Sequence, residues 1–336
     1  MFIELYALTD VGRVRQGNED NFLLMDLSAG VSWTGTDDAS IPENLKRLTS
    51  LKGGLGGLVL AVSDGMGGEQ AGDVASQMAV EGVRQTLSGN NHQGEAKLFE
   101  ELVKATLLVN NAVYEKSICD TECSGMGATF TGTAISEKSI ELLQIGDSRA
   151  YLMRDGNLTL ITKDQSLVQQ LVETGQITAE EAVHHPHRNL ILQALGAQRE
   201  VSPTLARLEV RQNDLLLLCS DGLSGKLNSQ EMGSIISDTT DLQETAEALV
   251  KEANERGGED NITVVLARFG GEDLTAPESS EIHVKEFSLS TRSVPPGWWH
   301  GRPARVPHHG QDGTPTAMRR RGPRHAHATP RATAGG

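Results

Sequence analysis

Short apolar runs separated by polar, glycine-containing turns dominate the first 270 residues of the chain. Residues 2–9 (FIELYALT) and 21–27 (NFLLMDL) have the length and composition of strands. Residues 58–63 (LVLAVS) are continuously apolar, as a strand buried on both faces must be, and residues 215–220 (LLLLCS) repeat the pattern. Residues 127–136, 140–145, 149–153 and 158–161 read as successive short strands, and 261–269 (NITVVLARF) as a closing one. Two helical segments follow the glycine-rich turn after residue 63. In the second, Leu98, Leu102, Ala105, Val109 and Ala112 fall on one face. Residues 165–195 look helical with loops, and Leu242, Ala246, Leu249 and Ala253 mark a last amphipathic helix. Strands, then helices, then strands again predict an antiparallel α+β sandwich rather than a βαβ repeat.

Two stretches break the pattern. Residues 28–57, rich in Gly, Ser, Thr and Asp, read as a long surface insertion. From about Gly270 periodicity stops, and the chain turns polar and then rich in Pro, Gly, Arg and His. This predicts one domain over residues 1–269 and a tail without stable structure over 270–336. Removing 271–336 should then leave turnover nearly unchanged. The 336 residues carry a net charge of −15. The segment from Pro295 onward holds seven Arg against Asp312 alone, a net of +6, so residues 1–294 carry −21. Such a field repels nucleic acid and anionic membrane and attracts divalent cations. Cys119, Cys123 and Cys219 are too few and odd in number for a secreted disulfide framework. No apolar run approaches membrane-spanning length. A soluble, monomeric, cytoplasmic protein is expected.

Chemistry concentrates in acidic turns that follow apolar runs: Asn18-Glu19-Asp20, Asp64-Gly65-Met66-Gly67-Gly68, Gly146-Asp147-Ser148-Arg149, Asp221-Gly222 and Asp260-Asn261. A single Asp-Gly is usually just a turn. Several at the ends of buried strands would project carboxylates to one edge, where their repulsion requires cations. Oxygen donors without Cys or His select magnesium, manganese or calcium over zinc. Glycine allows close backbone approach, so the Gly65 carbonyl is a further candidate ligand.

These turns sit in motifs that resemble, in order, those of bacterial metal-dependent protein phosphatases of the 2C type. They are TDVGRVRQGNED (9–20), VSDGMGG (62–68), GMGAT (125–129), IGDSRAYL (145–152), HPHRNLILQALG (185–196), LLCSDGL (217–223) and DNITVV (260–265). The resemblance covers roughly residues 3–269. It implies a four-layer αββα sandwich, two central antiparallel sheets flanked by helices. It also implies hydrolysis of phosphoserine and phosphothreonine on proteins, opposing Ser/Thr kinases. Two Mg or Mn ions would activate a bridging water for in-line attack on phosphorus. Asp64 would bridge the metals, Gly65 would bind one, and Asp221 and Asp260 would hold the other. Glu19 and Asp20 would orient metal-bound water or ligate at the rim. Asp147, with Asp221, would form a weaker third site, and Arg15 would grip the substrate phosphate.

The chain departs from the pattern at two positions. Met66 stands where some members have His, and Gln165 where the family usually has one. His184, His185 and His187 fall in the segment resembling the family's mobile flap, where ordinary surface roles are the commoner outcome. No Cys is followed six positions later by Arg, and neither Asp-x-Asp nor Gly-Asp-x-His-Gly occurs. Those absences exclude the other main phosphatase chemistries. A catalytically silent pseudophosphatase that binds phosphoproteins would be expected to lack Asp64, Asp221 or Asp260, and all three are present.

Overall fold

In the computed structural model the described residues are 1–37, 41–42, 46–48, 57–67, 71–89, 95–136 and 138–288. Two antiparallel sheets form the centre. The first has the order β10-β9-β12-β13-β1-β4, with β1 at Phe2–Asp10, β4 at Arg47–Leu48, β9 at Arg149–Arg154, β10 at Asn157–Leu160, β12 at Leu215–Cys219 and β13 at Ile262–Gly270. The second has the order β14-β11-β8-β7-β5-β2-β3. Its strands are β2 at Asp20–Asp26, β3 at Val31–Thr34, β5 at Leu58–Met66, β7 at Phe130–Ile135, β8 at Ser139–Ile145, β11 at Thr204–Glu209 and β14 at Lys285–Phe287. A short β6, Gly127–Ala128, pairs with the end of β5.

Strand alternation distributes side chains among three cores. On β5, Leu58, Leu60 and Val62 point between the sheets, while Val59 and Ala61 point to the outer side. There they meet helices α1 (Gly72–Ser88) and α2 (Glu95–Cys119), whose Ala75, Ala79, Val83, Leu102 and Val109 belong to the same cluster. On β12 and β13, Leu216, Leu218, Val265 and Ala267 face inward between the sheets. Leu215, Leu217, Val264 and Leu266 face helices α6 (Ser229–Asp238) and α7 (Leu242–Glu255). The expected αββα layering is observed. Both predicted both-face-buried strands owe their unbroken apolar sequence to it.

Between these helices in sequence, α3 (Leu167–Glu173) and α4 (Ala179–Val183) lie in the 165–195 segment, and α5 (Asp221–Ser224) follows β12 directly. Neither α6 nor β11 was anticipated. The start of α6 carries a readable signal: Asn228 and Glu231 form a reciprocal capping box.

Two expectations about boundaries are corrected. The 28–57 stretch is not wholly a surface insertion, because β3 extends one sheet beside β2 and β4 extends the other beside β1. Trp33 stacks edge-on against Phe22 at 4.9 Å, and Ile41 is buried. Residues 38–40, 43–45 and 49–56 of the stretch lie outside the described residues. Nor does structure end at residue 269. Residues 271–288 cross from β13 to the far edge of the other sheet, where β14 pairs with β11. Leu274 is buried, the Met1 amino group meets Asp273 at 2.7 Å, and Phe287 lies 5.7 Å from Phe99. The buried Arg154, paired with Asp214 at 2.7 Å, also donates to the Glu281 carbonyl. Backbone pairing and a few apolar anchors hold this strap, so hydropathy alone does not reveal it. The remainder of the expected tail, 289–336, lies outside the described residues.

A chain ending at Gly270 should therefore be less stable than one ending at Ser288, by roughly 3–5 kcal/mol from the apolar surface of Leu274, Ile282 and Phe287 alone. Urea unfolding of the two truncated chains measures the difference. Equal midpoints would show that the strap contributes nothing.

Candidate active site

The inward phase of the strands continues past their last apolar residues into polar ones. Phe22 and Leu24 point between the sheets, and so does Asp20 two residues earlier. On β5 the same phase carries Asp64, the direct cross-strand partner of Asp20. In the opposite sheet it carries Thr263 before Val265 and Ser220 after Leu218. These side chains meet across the gap. Asp20 Oδ2 accepts from Ser220 Oγ at 2.6 Å and from Thr263 Oγ1 at 2.7 Å. Thr263 in turn touches Thr9 Oγ1 at 2.7 Å, which accepts from Asn18 Nδ2. On the other side of Asp64, Thr129 Oγ1 accepts from the Asp64 amide and lies 2.6 Å from Ser148 Oγ.

Four loops deliver the remaining groups, Asp147 among them in the turn between β8 and β9. Asp221 opens α5 at the end of β12. Asp260 precedes β13, and the buried Asn261 ties it to the 11–19 loop. Its Oδ1 accepts from the Glu19 amide, and its Nδ2 donates to the Val11 and Gly17 carbonyls. The amides of Arg13 and Val14 add bonds to the Gly258 carbonyl. Gly65 is required by close approach: its amide bonds the Glu19 carbonyl, and a Cβ there would run into the Gly72 carbonyl.

Asp20, Asp64, Asp147 and Asp221 form one electrostatically coupled cluster. Burial is the main cause that raises the carboxyl pKa of each, and neighbouring carboxylates add to it. Asp20 is pushed up to about 7 despite its two hydroxyl donors, with Asp221 and Asp260 opposing its ionisation. Asp147 is pushed up to about 8, with Asp221 and Asp164 contributing. Asp64 is raised well above the carboxylate range. Part of its surface stays open, but packed protein on its other sides and the charges of Asp20, Asp221, Asp147 and Asp260 outweigh that opening. Asp221 is raised chiefly by burial, with the charge of Asp260 adding to it and the neighbouring Asp64 carboxyl partly relieving it. Glu19 is raised by burial and partly relieved by Arg15.

Arg15 pairs with Asp260, Nε to Oδ1 at 2.9 Å, and reaches Glu19 at 3.5 Å. Both ends of the Asp260 pair are about two-fifths exposed at the rim. His184 and His187 are exposed, and His185 Nδ1 accepts from the His187 amide in the turn after α4.

Among the described residues, no three acidic, His or Cys side chains are already drawn into a finished coordination shell. The arrangement nevertheless fits a hard divalent cation on three counts. Its donors are all oxygen, the carboxylates are stacked against their mutual repulsion, and the buried Asp147 Oδ1 has no hydrogen-bond partner. Sequence reasoning placed the acidic residues but missed the hydroxyl and amide groups that hold them, Ser220, Thr263, Thr129, Ser148 and Asn261. The period-two phase of the flanking strands was the signal that could have found all but Asn261.

A family model described as protein phosphatase 2C matches residues 49–263, which begins beyond the loop carrying Arg15, Glu19 and Asp20. The serine/threonine phosphatase Stp of Listeria monocytogenes is 34% identical over 268 residues, 80% of this chain and 95% of that protein. The crystal structure of the Mycobacterium tuberculosis serine/threonine phosphatase PstP/Ppp superposes with a TM-score of 0.64 at 35% identity, covering 81% of this chain and all of that one. The PstP catalytic domain in complex with two manganese ions superposes with a TM-score of 0.62 at 34% identity, over 80% of this chain and 99% of that one. This chain belongs to the protein phosphatase 2C family and is a serine/threonine protein phosphatase.

Proposed function

We propose that the chain hydrolyses phosphoserine and phosphothreonine on proteins at a binuclear Mg or Mn centre built on the Asp64 cluster, acting against the products of Ser/Thr kinases. The carrying observation is the convergence of Asp20, Asp64, Asp147 and Asp221, where burial and neighbouring carboxylates oppose ionisation. Bound cations would offset that opposition. Two manganese ions in the PstP relative favour the same reading. Asp64 and the Gly65 carbonyl would hold one ion, with Asp64, Asp221 and Asp260 on the other. Glu19 would order metal-bound water at the rim and Asp20 at the buried centre, and Asp147 with Asp221 would form a weaker third site. Three unpaired cysteines fit a reducing compartment, the cytoplasm, and we take the working unit to be a single chain.

Bound hard cations supply Lewis-acid activation of water and neutralise charge at phosphorus. The chain's own part is positioning. Ser220 and Thr263 both donate to one Asp20 oxygen, Oδ2, and so fix the orientation of its carboxyl group. Arg15, now on Asp260, presents a planar donor fork at the rim, suited to the equatorial oxygens of an incoming phosphate. In taking that role it would exchange Asp260 for the phosphate and release the carboxylate to its cation.

Turnover of phosphoserine and phosphothreonine peptides should require added Mn or Mg and vanish in chelator. Asp64→Asn should lower it by roughly 10^3-fold or more. Full activity in chelator would sink the reading. Arg15→Ala should lower kcat/KM about 10- to 100-fold, chiefly through KM, as expected for losing a charged hydrogen bond to substrate.

Stability should show the opposite trend to activity. With folded-state values near 7 and 8 for Asp20 and Asp147, against about 4 unfolded, the native state holds extra protons between those limits. The metal-free protein therefore loses stability as pH rises from about 4 to 8. In chelator its melting temperature should fall between pH 5.5 and 8, and Mn should restore it more at pH 8 than at 5.5. Asp64→Asn should flatten the slope while abolishing turnover. A flat profile for the unsubstituted chain would contradict the charge stacking.

A further inference from the structure

We propose that Gln165 is a positioning residue: it clamps the Gly146–Ser148 turn that aims Asp147 into the cluster and couples that turn to the 166–195 segment. Resting on the reading of Asp147 as a metal ligand, this extends the site to a residue where the sequence departs from its family's usual His.

The geometry is two-sided. The Gly146 amide donates to Gln165 Oε1 at 2.9 Å, and the Gln165 amide donates to the Gly146 carbonyl at 2.9 Å. One residue thus satisfies both backbone groups of Gly146. Gly146 itself has φ +98°, and a Cβ there would press on Thr129, so the turn has little freedom to rearrange. Gln165 Nε2 points the other way, donating to the Ser202 carbonyl at 3.2 Å and to Thr204 Oγ1 at 3.1 Å at the start of β11. Its carbonyl accepts from the Leu192 amide, and the next residue, Ser166, bridges to Ile191. Both ends of the 166–195 segment therefore meet at the residue that holds the Asp147 turn.

A second glutamine closes the clamp from below. The buried Gln144 donates to the Ser148 carbonyl at 3.2 Å and to Gly146 at 3.4 Å, and accepts from the Lys163 amide. Asp147, held between the two, keeps Oδ1 unpartnered. An amide suits this position because it donates and accepts at once at every pH. An imidazole does both only while neutral, and only one of its two tautomers would turn the acceptor towards the Gly146 amide. Removing a group that orients a metal ligand typically changes metal affinity or activity by about 10–100-fold.

The test uses the full-length protein and Mn alone as probe. Calorimetric and EPR titrations would compare unsubstituted chain, Gln165→Leu, Gln165→Glu and Asp147→Asn, with hydrogen exchange at the Gly146 amide followed in chelator. Gln165→Leu should weaken the weakest Mn-binding step by at least about 10-fold and leave the tighter steps in place. It should also accelerate exchange at Gly146 and across 166–195. Gln165→Glu retains the acceptor for Gly146 and should recover most of the Gly146 protection. Thr204→Val, which removes one of the two far acceptors of Gln165 Nε2, gives a milder form of the same effect should the Leu variant fold poorly. Unchanged weak binding with unchanged Gly146 exchange overturns the clamp. If Asp147→Asn leaves every Mn step intact, the reading of Asp147 as a ligand fails instead, whatever Gln165 does to the exchange.

Discussion

Mutual repulsion among buried carboxylates is the constraint on which the rest of the structure turns. Asp20 and Asp64 face each other on neighbouring strands, and Asp147 and Asp221 approach from adjoining turns. Water is largely excluded from this group, so ionised carboxylates there repel strongly and hold their protons instead. Folding such a set together is unfavourable in isolation. The surrounding sandwich supplies the compensation, with three apolar clusters stacked across its layers.

The sandwich also decides where that charge sits. The two sheets share an inner face whose apolar stripe ends in hydroxyls and carboxylates at one edge. Sheet closeness lets Ser220 and Thr263 on one side hold Asp20 on the other. The hydroxyl chain from Asn18 through Thr9 to Thr263 extends the same support to the Arg15 loop. Through Asn261 that loop is tied to the Asp260 turn, so the rim and the buried centre form one bonded unit.

Two peripheral elements feed into this unit. The 166–195 segment closes on Gln165, which grips the Asp147 turn. The 271–288 strap joins the sheets at the opposite side, through β14 on one and Arg154 on the other. Each links separate layers with backbone hydrogen bonds and a few side chains rather than with a broad apolar face.

What the sequence by itself determined was local. Runs such as Leu58–Val62 and Leu215–Leu218 announce strands covered on both faces, because no polar side chain could be tolerated on either. The helix face of Leu98, Leu102, Ala105 and Val109 is readable for the same reason, and the acidic turns mark where the chemistry must lie. Only the tertiary structure decided which carboxylates share a field, that Asp20 is anchored by Ser220 and Thr263, that Gln165 clamps Gly146, and that Lys285–Phe287 is a strand. Those outcomes depend on register and hydrogen bonding between segments up to 243 residues apart. Hydrophobic periodicity reports which way a residue faces, whereas desolvation and backbone pairing arise only when distant segments meet.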